Sequence, residues 1–253
     1  MKHKIFILLV FTFISIMSSV SANTTFQRAA DAYNAQRYAD AVALYDSVEV
    51  ADGVSPQLYY NRGNAYYKMG KYAPAILNYE RALMLDPSNP DISYNLELAN
   101  TKIADKIEET GTFFINVWAQ TVRDWFTSNT WAVIGIISFL MFMIAFVTYM
   151  FVDSQHMRVR KWGFFIALPL FIISLIANAC ALAQNDRSSN RDQAIIFAGE
   201  VSVKSSPSDS GTQLFVLHAG TKVTLIETVG EWGEVRISDG NRGWLPLSAI
   251  EII

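Results

Sequence analysis

The stretch TWAVIGIISFLMFMIAFVTYMFV (residues 130–152) has no charged residue, and neither has WGFFIALPLFIISLIANACALAQ (residues 162–184). Each is long enough for a helix to cross a hydrocarbon core of roughly 30 Å. Between them lies Asp153-Ser-Gln-His-Met-Arg-Val-Arg-Lys161, which carries Arg158, Arg160 and Lys161. So short a connection predicts a two-helix transmembrane hairpin with a polar loop over 153–161. The basic residues place that loop on the cytoplasmic side. Residues before 130 and after 184 then lie outside the cytoplasm. The competing reading, two buried helices of a soluble domain, has to explain two such runs in one chain of 253 residues.

Working outward, the 51 % hydrophobic content comes largely from these spans and from the N-terminus. A net charge of −3, with no basic patch outside the loop, argues against nucleic acid as a partner. The single cysteine, Cys180, falls inside the second span. One thiol makes neither an internal disulfide nor a CxxC pair, and it reads as a small apolar packing residue. Residues 1–22 have the form of a secretory signal. Lys2 and Lys4 precede an apolar run from Ile5 to Met17, and Val20-Ser-Ala22 supplies small residues for cleavage. An uncleaved anchor is the alternative, and either reading puts Asn23 outside.

Residues 23–110 contain an internal repeat. Ala29, Tyr38, Ala41, Tyr45 and Val48 recur 34 positions later as Gly63, Tyr72, Ala75, Tyr79 and Ala82. Small residues at Gly63 and Ala75 would let two antiparallel helices approach, with Tyr66 and Tyr79 filling the gaps. Pro87 would end the second helix. The pattern resembles the tetratricopeptide repeat. A third unit opens at Pro90 with Asp91 as a cap, and it reads as a long capping helix through Ile107. The resemblance implies an α-helical solenoid with a concave face for a peptide or partner helix. By motif position that face holds Phe26, Ala30, Tyr33, Tyr60, Asn64, Tyr67, Tyr94, Asn95 and Leu98. Asn64 and Asn95 stand where clamps for C-terminal carboxylates place asparagines. Tyr60 stands where such a clamp needs a cation, so polar groove lining is the simpler reading.

Residues 111–129 form a different signal. Phe113, Phe114, Val117, Trp118, Thr121, Val122, Trp125 and Phe126 share one helical face; Asn116, Gln120, Arg123 and Asp124 share the other. This predicts an amphipathic interfacial helix before the first span, set off by Gly111 and Thr112. The rival is a helix packed under the repeats. Within the second span, Pro169 is a candidate kink and Asn178 a candidate hydrogen-bonding group toward a neighbouring helix.

A linker over 185–193 leads into a block over 194–253 of short alternating strands. Val201 to Pro207, His218 to Val223, Trp232 to Ile237 and Asp239 to Leu245 succeed one another, with Asp239-Gly240 suited to a tight hairpin turn. The Gly243-Trp244 ending resembles the bacterial SH3 domain and implies an SH3-like small β-barrel. Trp232 and Trp244 are its candidate groove residues. The chain is therefore expected to be a multidomain membrane protein: helical solenoid, transmembrane hairpin and small barrel.

No catalytic constellation accompanies these parts. His3, His156 and His218 fall in separate segments, and HExxH, GxSxG, P-loop and GxGxxG motifs are missing. The expectation is a protein that is not an enzyme and uses neither metal nor cofactor.

Taken in order, repeats, hairpin and SH3 block resemble the BatE type of the Bacteroides aerotolerance (Bat) system. Asn95-Leu-Glu-Leu-Ala-Asn-Thr-Lys-Ile-Ala-Asp-Lys-Ile107 is similar to the repeat-end segment of its tetratricopeptide members. The resemblance implies a Gram-negative inner-membrane protein with both soluble domains periplasmic. It implies partners among Bat proteins, those with von Willebrand factor A domains above all, and a link to oxygen tolerance and stress resistance. It brings no catalytic residues. Two functions are then expected: a scaffold acting through the repeat face, or a sensor gripping peptidoglycan peptides through the SH3 block. A third possibility leaves the SH3 block packed on the repeats of its own chain.

Overall fold

The computed structural model describes residues 24–107, 114–151, 156–189 and 192–253. The expected signal at 1–22, the break at Gly111 and Thr112, and part of the loop after Phe151 lie outside these residues. The chain forms two bodies. The first joins residues up to 110, except 86–88, to residues 192–253, and the second holds 111–191.

In the first body, a helix over 24–34 (α1) is followed by α2 (Tyr38–Asp52), α3 (Pro56–Lys68), α4 (Tyr72–Leu85) and α5 (Pro90–Asn100). Local signals set the starts. Ser55 accepts from Leu58 N with Pro56 in the first turn, and Asn89 accepts from Asp91 N with Pro90 beside it. Asn89, not Asp91, is thus the cap of α5; Asp91 sits in the first turn, where its charge suits the helix dipole. The small-large pattern of the sequence becomes packing. A Cβ on Gly63 would stand 2.7 Å from the Tyr79 ring, so glycine is what lets α3 and α4 meet. Tyr45, Leu58, Ala75, Ile76, Tyr79 and Ile92 are almost wholly buried. Arg62 is buried among them, its Nε donating to Asn78 Oδ1 (2.7 Å) and its Nη1 to Asp46 Oδ1 (2.7 Å).

The expected capping helix through Ile107 does not form. Helix α5 ends at Asn100, and Lys106 Nζ donates to the free carbonyls of Asn100 (3.2 Å) and Thr101 (3.0 Å). Contacts with the C-terminal block draw the chain away. Ile103 leaves the helical path to pack on Gly220, and Asp105 accepts from three groups of that block.

The C-terminal block is a seven-stranded antiparallel sheet: β1 (Gln193–Ile196), β2 (Glu200–Lys204), β3 (Gln213–His218), β4 (Lys222–Val229), β5 (Trp232–Arg236), β6 (Arg242–Pro246) and β7 (Ile250–Ile252). The order is β3-β2-β6-β5-β4-β1-β7. Ala194, Ile196, Val203, Leu217, Val223, Val235 and Leu245 form its core. The expected turn is present, with Asp239 Oδ1 accepting from Asn241 N at 2.8 Å. Closure into a barrel is not, because β3 and β7 are the two edges and no ladder joins them. The β7 edge is turned to the helices instead. Arg81 Nη2 of α4 donates to Ile252 O at 2.6 Å.

The sheet therefore adds to the helical core while keeping its own. Ile195 of β1 and Ile253 belong to the apolar cluster built on α3, α4 and α5, beside Ile76 and Tyr79. Glu80 Oε2 accepts from Lys222 Nζ at 2.7 Å. The Asp105 carboxylate accepts from His218 N (2.8 Å) and Thr221 Oγ1 (2.6 Å), and pairs with His218 Nδ1 (2.6 Å).

The second body consists of α6 (Phe114–Arg123), α7 (Ser128–Phe151) and α8 (Met157–Ser189). Both α7 and α8 are long and apolar enough to cross a membrane. They pack along each other through small and hydroxyl side chains, with Ser174 Oγ donating to Gly135 O (3.1 Å) and Ser128 Oγ to Ala181 O (3.0 Å). The outward side chains, among them Ile136, Ile144, Phe165 and Leu175, are exposed. Helix α8 continues past Pro169 without interruption. Asn178 turns to its own hairpin: Nδ2 donates to Ser174 O at 2.8 Å, and the amide lies against Gly135. Helix α6 buries none of its side chains.

Candidate functional site

The repeat face is built from α1, α3 and α5. Residues four apart on α3 put Tyr60, Asn64 and Lys68 on one side of the helix, and the same spacing links Ala30 to Asn34 on α1. Asn64 is the hub. Its Oδ1 accepts from Tyr79 OH (2.8 Å) and from Asn95 Nδ2 (2.8 Å), and Asn95 Nδ2 also reaches Tyr60 OH (3.1 Å). The structure thus brings Tyr60, Asn64 and Asn95 together across two repeats.

Beside this hub is an open cavity of about 200 Å³ lined by Ala30, Tyr33, Asn34, Tyr45, Asn61 and Asn64. No charged side chain lines it. The carboxylate clamp that Asn64 and Asn95 evoke has no cation here, and those two amides already bond each other. Tyr33, which lines the cavity, stands edge-on to Tyr38 (5.4 Å), while Tyr67 stands edge-on to Tyr72 (5.6 Å) and packs against the helical core outside the lining. Phe26 stacks edge-on to Tyr45 (5.5 Å) and packs against the core rather than in the cavity. Tyr94 is 65 % exposed and stands apart from the hub.

Asn34, Asn61 and Tyr45 line the cavity although they were not among the expected residues. The two asparagines had a usable signal, since Asn34 follows Ala30 by four and Asn61 precedes Asn64 by three. Tyr45 had none, being a core position of the repeat. Burial pushes the Tyr45 phenol up to about 12, partly offset by a hydrogen bond with Asn61. Tyr79 is raised further by burial. Both phenols stay neutral across the physiological range. The cavity offers neutral amides and phenols, which suit the N–H and C=O groups of an extended peptide.

On the sheet, strand alternation puts Lys204, Trp244 and Glu234 side by side on the face opposite Val203, Val235 and Leu245. Trp232 shares that face, opposite Pro246. The Lys204 ammonium lies 5.3 Å from the Trp232 ring centroid. Both indoles are half-buried. Among the described residues, no group of His, Cys, Asp and Glu is placed to hold a metal ion.

Residues 56–89 match the tetratricopeptide repeat family model, and residues 199–251 match the bacterial SH3 domain. No curated protein matches the chain. Among solved structures, the chain is similar to PcrH from Pseudomonas aeruginosa, at 11 % identity over 67 % of this chain and 92 % of that one (TM-score 0.32). It is also similar to the type III secretion translocator chaperone SycD of Yersinia enterocolitica, at 13 % identity over 68 % and 88 % (TM-score 0.32). SycD in complex with a peptide of the translocator YopD gives 13 % identity, 65 % and 92 % coverage and a TM-score of 0.31.

Proposed function

We propose that the chain is a non-catalytic scaffold anchored in the inner membrane of a Gram-negative bacterium by α7 and α8. Its repeat and SH3 blocks would lie in the periplasm, with 1–22 as the exporting signal and the basic loop in the cytoplasm. The observation that carries the function is the uncharged cavity of amides and phenols on the repeat face. It fits a neutral extended segment of a protein partner.

Topology supports the anchoring. Residues 24–107 and 192–253 form one folded body, so both must reach the same compartment. An even number of crossings between them satisfies that, and α7 with α8 supplies two. The exposed apolar face of α6 suits an interfacial position next to them. The order of parts resembles the BatE type, which points to Bat proteins with von Willebrand factor A domains as partners in an aerotolerance complex. Partners in the same bilayer meet at high effective concentration, so modest groove affinity suffices.

The test is crosslinking in intact cells followed by affinity purification of the full chain. Tyr60 and Asn64 are poor targets, because removing either strips hydrogen bonds from the hub. Asn34→Ala and Asn61→Ala together alter the polar lining without removing an aromatic ring from the core. Recovery of the von Willebrand proteins is expected to fall at least tenfold while thermal unfolding stays near that of the parent. Unchanged recovery would sink the scaffold reading. A second reading, in which the Trp232 and Trp244 face grips wall peptides, is favoured by two half-buried indoles and Lys204 sharing the face opposite the sheet core. It gains ground if the same purification yields peptidoglycan fragments that Trp232→Ala removes.

A further inference from the structure

Helix α8 opens with Met-Arg-Val-Arg-Lys-Trp at 157–162. Among the described residues, Arg158, Arg160 and Lys161 meet no carboxylate, whereas Arg62, Arg81, Arg123, Lys204 and Lys222 each do. One turn further along, Gly163 lets the two helices of the hairpin close up. A Cβ there would stand 3.0 Å from Ala145 O and Tyr149 N. That approach brings the Tyr149 ring to the Arg160 guanidinium, 5.4 Å from its centroid, and to the Phe164 ring, 5.6 Å away. The result is a cavity of about 290 Å³ lined by Tyr149, Met157, Arg160, Lys161, Phe164 and Phe165. One end of it is cationic and the other is aromatic and apolar.

We propose that this cavity seats an anionic phospholipid. The phosphate lies between the Arg160 guanidinium and the Lys161 ammonium, and an acyl chain runs along Phe164 and Phe165. The inference rests on the reading of α7 and α8 as membrane spans. A planar guanidinium held over a tyrosine ring keeps its N–H fork available for two phosphate oxygens. Basic side chains at the headgroup level draw anionic lipids. A small soluble anion would use the cations but not the phenylalanines. A zwitterionic headgroup brings its own ammonium toward two fixed cations.

Two measurements separate this inference from the reading beneath it. Carbonate extraction of membranes first asks whether the full chain is integral; release into the soluble fraction overturns the spanning reading and the lipid site with it. The full chain, purified in mild detergent, is then mixed with equal amounts of phosphatidylglycerol and phosphatidylethanolamine and analysed by native mass spectrometry. Preferential retention of phosphatidylglycerol is expected, and R160Q with K161Q should lower it roughly tenfold. R158Q, outside the cavity lining, should leave it nearly unchanged. If the double variant inserts poorly, Y149L keeps both charges and removes the ring that orients Arg160, and retention should still fall about threefold. Equal retention of the two lipids, indifference to both variants, or displacement by millimolar inorganic phosphate would overturn the site.

Discussion

Asp105 shows what a single residue decides in this molecule. Burial works against its charge, but hydrogen bonds from Thr221 and from the His218 backbone and ring outweigh it. They hold the carboxyl below the usual carboxylate range. A carboxylate depressed in the folded state stabilises fully above its unfolded pKa of about 3.9, and that contribution is lost as pH falls through the lower folded value. Acidification below about pH 4 should therefore loosen the sheet from the helices. Asp105→Asn should cost about 1–3 kcal/mol at neutral pH, since it weakens one acceptor serving three groups. Its acid transition should also flatten. Protease sensitivity of the two blocks against pH, in parent and variant, measures both effects. Nothing in the sequence joins Asp105 to His218 and Thr221, more than a hundred residues away. In the sequence His218 is only the first residue of a short strand block. The Asn64 hub was partly legible, because motif position put Tyr60, Asn64 and Asn95 on one face. That they bond each other comes from the crossing of α3 and α5, which no local pattern encodes.

Among the elements, those with a period of their own were readable and those defined by a distant neighbour were not. The 34-residue offset records which helix faces touch, so α1 to α4 could be placed, and Pro90 marked the start of α5. Freedom from charge marked α7 and α8. The end of α5 was misread because the residues from Thr101 to Ile107 are acceptable in a helix, and only Ile103 and Asp105 meeting the sheet draw them out of it. The open sheet has the same origin: β7 meets Arg81 and the helical core where closure would have needed β3. Roles are exchanged as a result. The strand pair β1–β7 stands where a solenoid of this length would need a capping helix. Ile195→Ala should then cost about 2–5 kcal/mol as a cavity in the helical cluster. Hydrogen exchange should quicken first in α4, not in the centre of the sheet. Faster exchange confined to β4, β5 and β6 would count against that role.

At the scale of the whole molecule, the repeats and the SH3 block are parts of one body, joined where Ile195 and Ile253 of the sheet enter the helical core. Urea unfolding of the detergent-solubilised chain is expected to give a single transition for both, read by Tyr79-proximal exchange and by Trp232 and Trp244 fluorescence. A chain ending at residue 191 should lose the helical transition or shift it sharply downward, since α4 then exposes the surface that Ile195 and Ile253 cover. Two separate transitions, or repeats unaffected by the truncation, would show that the blocks are independent. Wall-binding assays are constrained by the same shared core. An isolated segment from 194 onward would bare Ile195 and Ile253 to water, so the full chain is the proper reagent.

The core shared by Ile76, Tyr79, Ile195 and Ile253 also sets an order in time. A ribosome delivers α4 about 110 residues before β1, with the whole hairpin between them. At typical rates of roughly 5–20 residues per second, the face of α4 that β1 and β7 will cover stays bare for several seconds. During that interval the nascent repeats are unfinished and sticky. Their completion waits until the later segment, residues 192–253, has been made and has met them. Completion of the helical core is thereby made conditional on the last segment of the chain, and repeats that never meet β1 and β7 keep an apolar face open to other chains.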